Sequence, residues 1–354
     1  MAVRFPPSRR IAHRHARALF DLVAGFTYSQ ILAACVETGL FEVLADGPQQ
    51  AAEIAARIDL PVAGAERLLR AAASLGLVET LGAHWVLDVG GAALRGNRGL
   101  AELVAHHRLL YADLADPVAL LRRGGGGGAL SGLWRYAEAG GTGDAAAVAD
   151  YSTLMAASQP MIATQAIDAY RFERHRRLLD VGGGEGAFLT ALGTRHPSIE
   201  LALFDLPAVA ERARKRFDSL GLGGRATTFG GDFLADSLPC GFDIISLVRV
   251  LHDHDDAPAL ALLRNIHDAL PPGGTVFIAE PMAETRGAEP VGHAYFGFYL
   301  LAMGSGRPRS GADIEAMLRE AGFVRIRRLR TGMPITTSVI VAKRRPLSKQ
   351  VDNN

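Results

Sequence analysis

Three acidic residues, each closing an apolar run, carry the first chemistry legible in this chain. Asp180 stands in "LLDVGGGEGAFL", Asp205 in "LALFDLP" and Asp232 in "GGDF". A strand-end aspartate is more often a helix cap than a ligand. Three in succession point to one edge of a parallel sheet, where such sheets bind small molecules. After Asp180 the glycines Gly182 and Gly184 let backbone approach a ligand closely, with Ala187 in the last place of a dinucleotide fingerprint. A pyrophosphate would be repelled by Asp180 and Glu185. A ligand carrying an ammonium and a sulfonium would be attracted, and S-adenosylmethionine (SAM) carries both. The predicted cofactor is therefore SAM, with NAD as the alternative. Asp205 is placed for the ribose hydroxyls, and Asp232 for the adenine amino group with Phe233 beside the ring.

The elements that must position these residues follow from the pattern after Arg177. Strand candidates are "RRLLDVG", "IELALFDL", "RATTFGGDF", "FDIISLVRVL", "GTVFIAEPM", "GFVRIRRLRTG" and "TTSVIVAKRR", with helices between them. Alternation of this kind predicts an α/β fold, a mainly parallel sheet with helices on both faces. In "GFVRIRR", Val324 and Ile326 point inward while Arg325 and Arg327 point outward, an ordinary solvated strand face.

Upstream the chain reads as helical. "YSQILAACVETGLFEVLADG", "QQAAEIAARIDL" and "PVAGAERLLRAAASLGLVE" precede a hairpin, "LVETLGAHWVLD", with Gly82 and Ala83 at its turn. Three helices and a hairpin make a winged-helix shape. A DNA-reading version would load its third helix with cations; this one offers only Arg67 and Arg70, which favours dimerisation or scaffolding over nucleic acid. Alanine-rich helical sequence continues from Leu100 to about Arg171. The run Gly124 to Gly128 breaks it and reads as a flexible loop or hinge.

With 354 residues and 49% hydrophobic content, two domains with sizeable cores are expected. A net charge of +1 gives no global attraction to nucleic acid, and two cysteines argue for a reducing cytoplasm. The apolar run Pro290 to Gly306 falls short of the roughly 20 residues a membrane span requires. The expected protein is soluble. Its basic opening, with Arg4, Arg9, Arg10, Arg14 and Arg17, allows peripheral contact with an anionic membrane, inner or photosynthetic.

Taken together, "LLDVGGGEGAF", "FDLPAV", "GGDFL", "LVRVLHDHDD", "LPPGGTVFIAEPM" and "RSGADIEAMLREAGF" resemble the small-molecule O-methyltransferases of the acetylserotonin and plant phenolic type. The resemblance covers nearly the whole chain. Over "YSTLMAASQPMIATQAI" and "YLLAMGSGRPRS" it is most similar to bacterial enzymes that methylate the tertiary hydroxyl of acyclic carotenoids, the hydroxyneurosporene and demethylspheroidene type. It implies a Rossmann-like class I methyltransferase domain with a seven-stranded sheet, and an N-terminal helical, winged-helix-like dimerisation domain. The implied boundaries are 1–105 for dimerisation, 106–171 for a helical linker contacting substrate, 172–345 for the methyltransferase domain and 346–354 for a tail. A homodimer is implied.

The resemblance makes His252 the general base and Glu280 the carboxylate orienting it. Leu206 and Arg249 join the cofactor set, while Tyr151, Met155, Tyr299 and Met303 line the substrate pocket. Asp253 sits beside the base, or else caps the following helix, as Asp255 or Asp256 could. Three departures stand out. Pro308 occupies the place of a second carboxylate, His254 that of a tryptophan, and Val248 that of a lysine. No Cys/His cluster suggests a metal. Three alternatives stay open: a phenolic or polyketide acceptor, a SAM-binding enzyme with other chemistry, and a SAM-sensing regulator.

Overall fold

A computed structural model describes residues 6–132, 159 and 162–346. Tyr151 and Met155, expected to line a substrate pocket, lie outside the described residues. The chain divides into two compact units, residues 1–108 and 109–354.

The first unit is helical. Its opening helix, Pro6–Glu37, runs for 32 residues, so the basic start and the apolar stretch expected as separate features form one rod. A break at Thr38–Gly39 separates it from Leu40–Ala45, where sequence periodicity suggested one continuous helix. Helices Ala51–Arg57 and Val62–Ser74 follow, then a hairpin of β1 (Val78–Leu81) and β2 (His84–Leu87). Leu40, Phe41, Ile54 and Leu69 are fully buried in its core. By length and composition Ile11–Glu37 could cross a membrane, which reading only Pro290 to Gly306 missed.

The second unit is built on a seven-stranded sheet of order β5-β4-β3-β6-β7-β9-β8. Its strands are β3 (Arg177–Val181), β4 (Glu200–Asp205), β5 (Ala226–Gly230), β6 (Ile244–Val248), β7 (Thr275–Glu280), β8 (Phe323–Leu329) and β9 (Ser338–Arg344). All neighbours pair in parallel except β9, which runs antiparallel to both β7 and β8. Central strands read as continuous apolar runs because helices cover both faces; every residue of β6 and β7 is buried. Chain order reverses between β3 and β6, which opens a crevice at their carboxyl ends.

The glycine run is not a free hinge. Gly126 donates its N–H to Leu301 O at 2.8 Å, and Arg123 Nε donates to Gly126 O at 2.7 Å. A Cβ on Gly125 would stand 2.5 Å from Leu301 O, so the glycines make a close-packed turn against the helix Gly297–Met303.

Candidate active site

At the crevice, β3 delivers Asp180 into full burial. Its Oδ1 accepts the Ser246 hydroxyl at 2.6 Å, while Oδ2 is buried without a partner. Burial pushes its pKa up to about 7. A Cβ on Gly183 would lie 2.5 Å from that lone oxygen, so the glycine turn keeps it reachable. The end of β4 places Asp205 between two backbone donors, Gly184 N–H and Leu206 N–H, each at 2.8 Å. Burial raises it to about 6. Each carboxylate oxygen keeps a second lone pair for a ligand hydroxyl. Past β5, exposed Asp232 accepts Leu234 N–H at 2.9 Å, and Phe233 meets the His254 ring edge-on at 5.4 Å. An unpaired buried carboxylate oxygen beside a backbone cradle fits a cationic cofactor.

Glu185 does not share that task. It reaches Arg212 at 3.4 Å and Arg216 at 4.0 Å on the helix Pro207–Ser219, so its charge is answered within the protein. Asp180, with a buried oxygen left unpaired, is the charge available to a cationic ligand.

After β6 the backbone turns sharply. Arg249 takes a left-handed φ of 58° while its N–H bonds Ala279 O, and a single 3₁₀ turn, Leu251–Asp253, follows. That turn buries His252 between two carboxylates. Nε2 lies 3.2 Å from Asp253 Oδ1, and Nδ1 lies 3.7 Å from Glu280 Oε2, beyond a hydrogen bond but within ion-pair reach. Glu280, at the end of β7, is itself anchored by Val250 N–H and Leu251 N–H. Burial, the largest single influence, opposes a charged imidazole. The Asp253 and Glu280 carboxylates together outweigh it and hold the His252 pKa above the ordinary histidine value.

Asp253, for which a place beside the base and a helix cap were both open, turns to His252. Asp255 occupies the cap position of helix Asp256–Ala269 without a side-chain cap bond, and Asp256 pairs instead with Arg307 and Arg309. Arg309 was legible only as a family marker. It is 1% exposed and donates to Leu251 O at 2.6 Å, His254 O at 2.8 Å and Asp256 Oδ1 at 2.7 Å. Both carbonyls flank His252, so Arg309 pins the turn that carries it.

A π-helical turn, Val291–Phe296, runs into helix Gly297–Met303 and supplies an aromatic wall. Phe296 approaches His252 edge-on at 6.0 Å, and Tyr295 sits 4.9 Å from Phe296 and 6.1 Å from Tyr299. Burial pushes Tyr295 up to about 12. Tyr295 and Phe296 were missed by sequence reasoning, although the run "HAYFGFYLL" was there to signal them. Met303 packs into a small core with Leu110, Leu120, Leu130 and Leu300. Val248, at the end of β6, and Pro308 are both buried.

The fold and the crevice define a SAM-binding α/β protein, and comparison with known proteins gives the class. The O-methyltransferase domain family matches residues 111–324, and the O-methyltransferase dimerisation domain matches residues 20–85. The chain belongs to the SAM-dependent O-methyltransferases. Demethylspheroidene O-methyltransferase of Cereibacter sphaeroides is 43% identical over 346 residues, covering 97% of this chain and 91% of that enzyme. The Rhodobacter capsulatus enzyme of the same name is 40% identical over 345 residues, covering 96% and 85%. Among solved structures, the SAM-dependent methyltransferase SibL matches with TM-score 0.77 at 29% identity over 93% of this chain and 99% of that one. Human N-acetylserotonin methyltransferase in complex with SAM shares the fold, with TM-score 0.78 at 24% identity over 94% and 98%.

Proposed function

We propose that this O-methyltransferase methylates the tertiary 1-hydroxyl of an acyclic carotenoid, with His252 as general base. The observation that carries the base assignment is the imidazole buried between Asp253 and Glu280 at the crevice. Two relatives named for demethylspheroidene, aligned over nearly the whole chain, support the acceptor. A wall of Tyr295, Phe296 and Tyr299 suits a long apolar body better than a sugar. Tyr151, Met155 and Met303 complete the proposed substrate set.

In this reading Asp180 faces the charged methionyl end of the cofactor, beside Gly182 and Gly184. Asp205 and Leu206 hold the ribose, Asp232 and Phe233 the adenine, and Arg249 borders the reacting end. The cofactor supplies an electrophilic methyl group; the chain supplies positioning and a proton acceptor. A tertiary alcohol is far less acidic than a phenol of pKa about 10, so free alkoxide is excluded and the proton leaves with or after methyl transfer. His252 Nε2 receives it, the adjoining Asp253 carboxylate stabilises the imidazolium, and Glu280 holds the Nδ1 side. Aromatic packing keeps water from the reacting oxygen.

The dimerisation-domain match supports a homodimer that residues 1–105 build. A cytoplasmic protein using a membrane-dissolved substrate also gives Arg14 and Arg17 a role on an anionic bilayer surface. Liposome flotation with and without residues 1–18 tests that contact, and equal recovery of the two forms would remove it.

Transfer of labelled methyl from SAM to hydroxy-carotenoids, beside a phenolic panel, tests the whole reading. Product on the carotenoid is expected, with His252→Ala losing about 10²- to 10⁴-fold while still binding SAM. Product on phenols alone would keep the enzyme class and discard the carotenoid.

A further inference from the structure

A second cavity lies on the outer part of the sheet, away from the carboxyl ends that carry Asp180, Asp205 and His252. It measures about 570 Å³ and is lined by Arg171, Arg174, Arg325, Arg327 and Lys343, with no carboxylate among the described residues of its wall. Arg325 and Arg327 are exposed, as sequence alternation leads one to expect, and the backbone adds a feature that alternation does not show. Register between β8 and β9 shifts between Val324 and Arg327, and Arg325 adopts a left-handed φ of 51°. A bulge of this kind re-aims side chains, and a strained non-glycine residue persists only where its surroundings enforce it.

Lys343 has the Asp243 carboxylate nearby, whereas the arginines of the cavity lack such a partner among the described residues. Several arginines of this unit are paired, Arg328 with Glu315, Arg177 with Glu200, and Arg307 with Asp256. Among the described residues, Arg171, Arg174, Arg325 and Arg327 form no side-chain ion pair. The cavity wall is nevertheless ordered. Lys343 Nζ donates to Thr275 Oγ1 at 2.6 Å. Asp243 Oδ2 accepts from His175 Nδ1 at 3.0 Å, which leaves His175 Nε2 to accept the Tyr170 hydroxyl at 2.8 Å. Buried His175 is kept neutral by its burial, which lowers its pKa.

We infer that this cavity is a second ligand site, for a small organic phosphate carrying two or more negative charges. Guanidinium forks match phosphate oxygens in pairs, and a cluster this cationic would over-neutralise a monovalent anion. Tyr170, Leu329 and Val341 give the cavity an apolar side, which asks for an organic body beside the phosphate. Its volume falls in the range of about 300–1,000 Å³ typical of small-molecule sites.

The test uses the full chain saturated with S-adenosylhomocysteine, so that the adenine site is filled. ADP and inorganic pyrophosphate are then titrated by calorimetry. Both are expected to bind, ADP the tighter. Arg325→Gly with Arg327→Gln should weaken ADP by about tenfold or more while S-adenosylhomocysteine affinity stays unchanged. Glycine keeps the left-handed backbone of position 325, so the loss reads charge rather than folding. Arg328→Gln, a neighbouring arginine outside the cavity, should leave ADP affinity intact. Absence of binding by both probes to the saturated wild type overturns the inference, as does equal weakening by Arg328→Gln. Vesicles bearing anionic phospholipid that bind through Arg325 and Arg327, with ADP and pyrophosphate inert, would assign the patch to a membrane surface and overturn the small-ligand site.

Discussion

A histidine held between Asp253 and Glu280 titrates later than a free one. Both carboxylates favour its charged form, so with rising pH the neutral base appears only above the ordinary value of about 6.5. The acid limb of kcat/KM is therefore expected above that pH. Asp253→Asn removes one of the two charges and should move the limb down while lowering the plateau. A limb that stays in place in the variant would deny Asp253 its electrostatic role. His252 and Glu280 could be read from the sequence because each closes an apolar run and matches a known family pattern. Asp253 was left open and Glu185 was misplaced for one shared reason. Spacing shows that an acid is near a site but not which way its side chain turns, and here Glu185 turns to arginines while Asp253 turns to the base.

The elements that carry these residues depend on two contacts that no pattern announces. Arg309 donates to both the Leu251 and His254 carbonyls, and it is fully enclosed. Arg309→Gln should cost about 1–3 kcal/mol in urea melts, because a buried charged donor to two carbonyls and to Asp256 is lost. It should also lower kcat more than SAM affinity, because the turn bearing His252 loosens while Asp180 and Asp205 stay in place. Unchanged kcat in a folded variant would show that the turn holds itself. The second contact is the glycine turn. Gly125 combines a φ of 101° with a Cβ position 2.5 Å from Leu301 O. Gly125→Ala should destabilise by about 1–3 kcal/mol and raise KM for the acceptor, since Leu301 lies on the helix after the aromatic wall. Equal stability and KM would restore the hinge reading. Five glycines read as flexible from composition alone; only the partner helix reveals that small size, not mobility, is what the position demands.

At the scale of the molecule, the sheet was the most legible part, because strands buried on both faces must be continuous apolar runs, although their order, reversing between β3 and β6, was not read from them. The N-terminal helix was the least legible, because its meaning depends on what covers it. Leu19, Phe20, Leu22, Val23 and Phe26 are between 63% and 78% exposed along one rod of this unit. Large contiguous apolar patches on soluble monomers mark interaction surfaces. The dimerisation-domain match over residues 20–85 includes Phe20, Leu22, Val23 and Phe26, which makes a second copy of the chain the expected cover. Leu22→Asp with Val23→Asp should then convert a dimer to a monomer in light scattering, with the fold of residues 109–354 retained by circular dichroism. If the variant stays dimeric but no longer floats with anionic liposomes, the helix face meets lipid instead, and the pairing surface lies elsewhere in the first unit. Burial of these side chains removes apolar area from water in either case, at about 25 cal/mol per Å². The two outcomes differ in concentration dependence: a dimer weakens on dilution of protein, whereas bilayer contact follows lipid.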